Sequence, residues 1–176
     1  MKEITDEQFI KQYLKGDEKS LEILIKRYLK PIYSFVYKNV GNSDAAEDIT
    51  QETFVKVWKN IKKFKAEKKF SAWIFTIAKN SSIDFLRKKK AATLALKEDF
   101  LFERGDFVNG IEQKNTIRKV HEALQELSPS YRAIILLKSE SNLTFKEIAE
   151  ELGEPLNTIK SRYRRAVFIL KSLISQ

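Results

Sequence analysis

Residues 144–166 constrain the fold more than any other stretch of the chain. Thr144-x-x-Glu147 is a capping box, in which two side chains satisfy each other's otherwise orphaned backbone N–H groups, so a helix is predicted from Phe145. Ile148, Ala149 and Leu152 form its buried face, and Ala149 is small enough to let a second helix cross closely. Gly153 ends the helix, because a left-handed residue costs least at glycine, and Pro155 forbids its continuation. A second helix then starts, capped by Asn157 or its neighbour. Ile159, Tyr163, Ala166 and Val167 turn inward, which leaves Thr158, Lys160, Ser161, Arg162, Arg164 and Arg165 on the outer face. Residues 157–171 carry five basic side chains and no acidic one. This is the pattern of a helix-turn-helix whose second helix suits the major groove of duplex DNA. Long cationic donors reach phosphates and guanine edges, and short hydroxyls let the backbone approach. A solvated amphipathic helix would explain the charge, but not its conjunction with the caps, the small crossing residue and the glycine turn.

The rest of the chain is also patterned for helices. Five glycines and three prolines in 176 residues are few breakers, and no useful β-alternation or internal repeat occurs. Thr5-x-x-Gln8 is another capping box, followed by Phe9, Ile10, Tyr13 and Leu14 at helical spacing and then Gly16. A second helix is predicted from about Glu18 to Val40, kinked at Pro31 and ended by Gly41. Ser43 is expected to cap a third, which runs to about Ile61 with Asp44, Glu47 and Asp48 near the positive end of its dipole. A fourth is predicted from about Ser71 to Lys89. Ile117, Val120, Leu124 and Leu127 define one apolar face of a further helix, and Ser128-Pro129 starts the next. The expected architecture is all-α: two small helical domains, residues 1–90 and 116–176, joined by a linker over residues 91–115. That linker contains Gly105 and Gly110 and has a net charge of −2, against +8 before it and +3 after it.

The net charge of +9 favours a polyanionic partner. Cysteine is absent and His121 is the single histidine, which argues against a disulfide framework and against thiolate or imidazole metal sites. With no apolar run of membrane-span length and no signal-peptide core, the chain is expected to be cytoplasmic, without membrane insertion.

Residues 62–90 hold ten Lys+Arg against two acids, interleaved with Phe64, Phe70, Trp73, Phe75 and Phe85. Rings set in a cationic frame suit single-stranded nucleic acid, whose unstacked bases gain by stacking while cations follow the backbone. Core packing is the competing reading for each ring, since Trp73, Ile74 and Ile77 share a helical face.

Two blocks carry a family resemblance. Asp44-Ala-Ala-Glu-Asp-Ile-Thr-Gln-Glu-Thr-Phe-Val-Lys-Val-Trp58, Phe70-Ser-Ala-Trp-Ile-Phe-Thr-Ile-Ala-Lys-Asn80 and Asp84-Phe-Leu-Arg-Lys88 resemble region 2 of a bacterial sigma factor. Leu127-Ser-Pro-Ser-Tyr-Arg-Ala-Ile-Ile-Leu-Leu137 and the helix-turn-helix resemble region 4. Their order and spacing resemble the extracytoplasmic function (ECF) group of the sigma-70 family, which keeps only these two domains.

The resemblance implies roles. Asp48, Gln51, Glu52, Val55 and Trp58 would dock on the β′ clamp helices of core RNA polymerase, whose β flap is a further expected contact. Phe64, Lys65, Lys68, Lys69, Phe70, Trp73, Asn80, Arg87 and Lys88 would melt the −10 element and hold a flipped base. Unstacking costs a few kcal/mol per step, to be recovered by pocket and phosphate contacts. Lys160, Ser161, Arg164 and Arg165 would read −35 base edges, with Thr158 and Arg162 on phosphates. The implied protein is no enzyme, has no catalytic residue, metal or cofactor, and is monomeric or bound one-to-one by an anti-sigma factor. Asp48 and Glu52 share a helix face but lack a converging histidine or third acid, which argues against acid–base chemistry. A homodimeric helix-turn-helix regulator, a nucleic-acid enzyme and an RNA-binding antiterminator remain as rivals. The first leaves the basic–aromatic segment without a role, and the second lacks a catalytic cluster.

Overall fold

Short polar side chains ahead of apolar runs cap the starts of four helices. The computed structural model describes residues 4–65, 67–96 and 113–175, and among these no strand occurs. Thr5 opens α1 (Asp6–Leu14) with the predicted capping box, its hydroxyl accepting from Gln8 N at 3.3 Å while Gln8 Oε1 accepts from Thr5 N at 2.9 Å. Asp17 caps α2 (Glu18–Val40), which continues as one helix through Pro31 and ends at Gly41 with φ 71°. Asn42, not the expected Ser43, caps α3 (Ser43–Asn60), because its Oδ1 reaches Ala45 N at 2.8 Å. A 3-10 turn (Ile61–Lys63) leads into the basic loop. There Glu7 of α1 accepts from the Phe70 N–H at 3.2 Å, at the start of α4 (Phe70–Leu96). That helix passes its expected end near Lys89, since Ala91, Ala92 and Leu94 are good helix formers with no breaker among them. Residue 90, the expected domain boundary, therefore lies inside α4, and α5 (Gln113–Glu126) begins within the expected linker. Most of that linker, including Gly105 and Gly110, lies outside the described residues. Then follow α6 (Pro129–Glu140), α7 (Phe145–Leu152) and α8 (Leu156–Ile174).

Helix α2 is the pillar of the first bundle. Its Phe35 is fully buried and meets Phe75 of α4 edge-on at 5.2 Å, and Tyr28 meets Phe70 likewise at 5.3 Å. Each such ring or aliphatic side chain contributes roughly 1.5–3 kcal/mol of burial. Leu124, Leu127, Ile134, Leu137, Ile148, Ile159 and Ala166 form the core of the second bundle. Ile117, expected on the inward face of α5, is instead 58 % exposed.

The two bundles pack on each other, which the sequence did not foretell. The C-terminal half of α2 lies against α5 and α6, and α4 lies against α6 and α7. Arg132 of α6 is buried at this junction. Its guanidinium donates to the Asn39 carbonyl of α2, to Gln125 Oε1 at 2.6 Å and Gln125 O at 2.7 Å, and to Leu127 O at 3.0 Å. Burial lowers its pKa to about 10, so it remains cationic at neutral pH. Gln125 in turn donates to Lys38 O at 2.9 Å, and Lys38 pairs with Glu140 at 2.5 Å. His121 stacks on Tyr37 at 5.5 Å. Gly41 permits this approach, because a Cβ there would stand 3.0 Å from the Gln125 amide.

Arg132→Ala should leave several buried carbonyls without a donor. The expected loss is about 2–4 kcal/mol of unfolding free energy in urea titration. Arg132→Lys should recover only part of it, because an ammonium lacks the planar fork.

Candidate polymerase and nucleic-acid interfaces

Three surfaces hold the side chains singled out from the sequence. The first is the outer face of α3. Ala46, Ile49, Thr50, Thr53 and Val57 bury one side of this helix. Asp48, Gln51, Glu52 and Val55, at spacings of 3, 1 and 3, stand on the exposed side with Trp58 beyond them. Val55 is 46 % and Trp58 58 % exposed, and Glu52 pairs with Lys56 at 2.7 Å. An apolar pair beside carboxylates therefore faces solvent on a well-packed helix and takes no part in this core.

The second surface is the basic loop with α4. Lys65, Lys68 and Lys69 are exposed, as are Asn80, Arg87 and Lys88. Trp73, Asn80 and Arg87 recur every seven residues, which aligns them along about 21 Å of one helix face. Arg87 pairs with Asp84 at 3.0 Å. The rings divide between the two readings. Phe70, expected among the strand-contacting residues, is 1 % exposed and belongs to the core, as does Phe75. Phe64 and Trp73 are half-buried and lie 5.3 Å apart, each also packing on Phe70 at 5.9 Å. The buried ring thus positions the two that retain an open edge.

The third surface is the helix-turn-helix. The Thr144 hydroxyl accepts from Glu147 N at 3.2 Å and Glu147 Oε2 accepts from Thr144 N at 2.8 Å, as the capping box predicts. Gly153 takes the left-handed conformation at φ 65° and ψ 28°, and the Ala149 carbonyl accepts from Glu154 N at 3.0 Å across the turn. Pro155, not Asn157, occupies the cap of α8, so that helix starts at Leu156 without a side-chain cap on its first amides. Its positive end is left available to an anion. Ile159 and Ala166 are fully buried, while Thr158, Ser161, Arg164 and Arg165 are exposed and Lys160 is half-exposed. The Ser161 hydroxyl donates to Thr158 O at 3.0 Å. Arg162 is held differently from the others: its guanidinium forks onto the Glu154 carboxylate at 2.9 and 2.7 Å. That fork keeps the Glu154 carboxyl below its usual range.

Sequence reasoning missed the acids of α7. Glu147 pairs with Lys69 at 2.7 Å and Glu151 with Lys68 at 3.0 Å. Donation from Lys69, then from the Thr144 backbone, lowers the Glu147 pKa to about 2. Spacing by four shows that both acids share a face, but nothing local identifies lysines some eighty residues away as their partners.

A groove-sized basic helix and a basic strip edged with rings give the chain two cationic surfaces on different bundles. Residues 24–92 match the Sigma-70 region 2 family and residues 117–167 the Sigma-70, region 4 family. The chain is 35 % identical over 170 residues, 89 % of each chain, to the ECF RNA polymerase sigma factor SigW of Bacillus subtilis. It is 26 % identical over 175 residues to the ECF RNA polymerase sigma-E factor of Escherichia coli K12, covering 93 % of this chain and 91 % of the other. Among solved structures it resembles the sigma factor RpoE of Bartonella quintana, crystallised with the anti-sigma factor NepR. The TM-score is 0.74 at 26 % identity, covering 89 % of this chain and 98 % of that one. The chain belongs to the ECF group of the sigma-70 family, the factors that give RNA polymerase promoter-specific initiation.

Replacing Gly153 tests the turn between α7 and α8. A Cβ there would meet no atom within 4 Å, so the cost is conformational alone. Gly153→Ala should lose about 1–2 kcal/mol in thermal or urea unfolding, and Gly153→Asn less.

Proposed function

We propose that this chain docks on the β′ clamp helices of core RNA polymerase through α3 and carries the enzyme to promoters through two DNA contacts. In this reading Asp48, Gln51, Glu52, Val55 and Trp58 form the polymerase contact. Lys65, Lys68, Lys69, Asn80, Arg87 and Lys88, with the edges of Phe64 and Trp73, follow the −10 strand, and Phe70 supports them from the core. Lys160, Ser161, Arg164 and Arg165 read the −35 element, while Thr158 and Arg162 hold its phosphates. The carrying observation is the α3 face, where Val55 and Trp58 stand exposed beside three polar side chains. A DNA-only regulator has no use for it.

The domains of this reading are residues 1–90 and 116–176, with residues 91–115 between them. The chain contributes recognition and strand binding, and the polymerase performs the chemistry, so no cofactor or metal is required of it. Its place of action is the cytoplasm, where the polymerase works. No helix among the described residues is long and apolar enough to cross a membrane. An anti-sigma factor is a further partner, by analogy with the Bartonella neighbour that was crystallised with one. Phe168 on α8 and Ile117 on α5, 75 % and 58 % exposed, offer apolar surface for that protein or for the β flap.

Two substitutions separate the contacts. Asp48→Arg reverses charge at an exposed site and should abolish co-purification with core polymerase while the circular dichroism spectrum is unchanged. Arg165→Ala should keep core binding and reduce −35-dependent transcription by roughly 5- to 150-fold, the value of one good base contact. Retention of core binding by Asp48→Arg, or its loss in Arg165→Ala, would overturn the assignment.

A further inference from the structure

The ion pairs between α7 and the basic loop have a direct bearing on when the loop is available. Lys68 and Lys69 end on Glu151 and Glu147 at 3.0 and 2.7 Å. The side chain of Glu151 is only 9 % exposed and that of Glu147 24 %, so both carboxylates are largely covered by the contact region. One turn further on, Glu154 holds Arg162 in a two-bond fork. Lys79 of α4 is coupled electrostatically to that same pair, and burial lowers its pKa. A row of carboxylates at positions 147, 151 and 154 therefore runs along one side of α7 and its turn, facing cations of the loop, of α4 and of α8.

We propose that in the free chain α7 stands in for the −10 strand, its Glu147 and Glu151 carboxylates taking the places on Lys69 and Lys68 that DNA phosphates occupy in a promoter complex. This rests on the reading of residues 65–69 as a strand-binding loop. Carboxylate and phosphate oxygens make the same charge-assisted bonds with an ammonium group, so one can replace the other. Exposed ion pairs of this kind are individually weak. Here they do not assemble the closed form. The buried Arg132 fork, the Gln125 bond to Lys38 O and the apolar contact of α2 with α5 and α6 hold the bundles together, which presents α7 to the loop at high effective concentration. Capture of a single strand must displace α7, whereas the α3 face and the exposed Arg164 and Arg165 are already open. The fold thus leaves the polymerase contact and part of the −35 reader free while engaging two lysines of the −10 loop, whose side chains stay 47 % and 58 % exposed.

Isosteric removal of the two charges tests this. Glu147→Gln/Glu151→Gln keeps the capping box, because glutamine serves at that position as glutamate does. Binding of a fluorescein-labelled oligo-dT single strand to the full chain, at one fixed low salt concentration, should tighten by about five- to tenfold. The control Glu22→Gln/Glu150→Gln removes the same charge from exposed side chains paired with Lys26 and Lys146, and should stay within about twofold of the unsubstituted chain. Equal tightening in both double variants, or none in the first, would overturn the proposal. If the first variant does not fold by circular dichroism, Glu151→Gln alone should tighten binding about threefold, and its failure to do so is equally decisive. Transcription from one promoter with core polymerase separates the two levels. Absence of initiation by the unsubstituted chain refutes the sigma-factor reading, whereas normal initiation without tighter strand binding refutes only the masking role of α7.

Discussion

Among the described residues, Arg132 is the charged residue that the fold buries, at 5 % exposure, and the seating of the second bundle on the first depends on it. A guanidinium taken out of water is costly unless its donors are used, and here the two terminal nitrogens end on three backbone carbonyls and one amide oxygen, while the buried Nε has no partner. One of those carbonyls, from Asn39, belongs to the other bundle. The demand of a single side chain therefore fixes where α6 sits on the end of α2. Because α6, α7 and α8 pack together, it also fixes where the helix-turn-helix faces. Gly41 completes the junction by leaving room for Gln125.

How much of this was legible in the sequence follows from the range of each interaction. Capping boxes act within four residues, and both were readable: Thr5 with Gln8, and Thr144 with Glu147. Helix ends that depend on choosing between neighbouring caps moved by a residue or two, to Asn42 from Ser43 and to Pro155 from Asn157. Residues 62–90 were readable as a cationic segment carrying rings, but which rings stay at the surface was not. Phe70 and Phe75 went to the core because Tyr28 and Phe35 of α2 meet them there, a matter of packing between helices far apart in sequence. The junction of the bundles was not legible at all. Arg132 and Asn39 are 93 residues apart, and no local pattern pairs them. The same holds for Lys68 with Glu151 and Lys69 with Glu147.

The three surfaces differ in how they are treated by the rest of the chain. The α3 face keeps Val55 and Trp58 exposed, with Glu52 paired to Lys56 beside them. The outer face of α8 keeps Arg164 and Arg165 exposed, with Arg162 held back by Glu154. In the basic loop, Lys68 and Lys69 are answered by Glu151 and Glu147 of the same chain. A basic protein with a net charge of +9 risks indiscriminate attraction to nucleic acid. On the proposed exchange, internal carboxylates that must be displaced raise the threshold for such binding, and polymerase-assisted delivery to a promoter lowers it again by making the exchange effectively intramolecular.

The most direct measurement is transcription in vitro by core RNA polymerase on a genomic promoter library, with and without the purified chain. Transcripts should start, only when the chain is present, downstream of two shared sequence blocks at the −35 and −10 positions. Starts no different from those of core polymerase alone, or starts lacking either shared block, would contradict the two-point promoter grip.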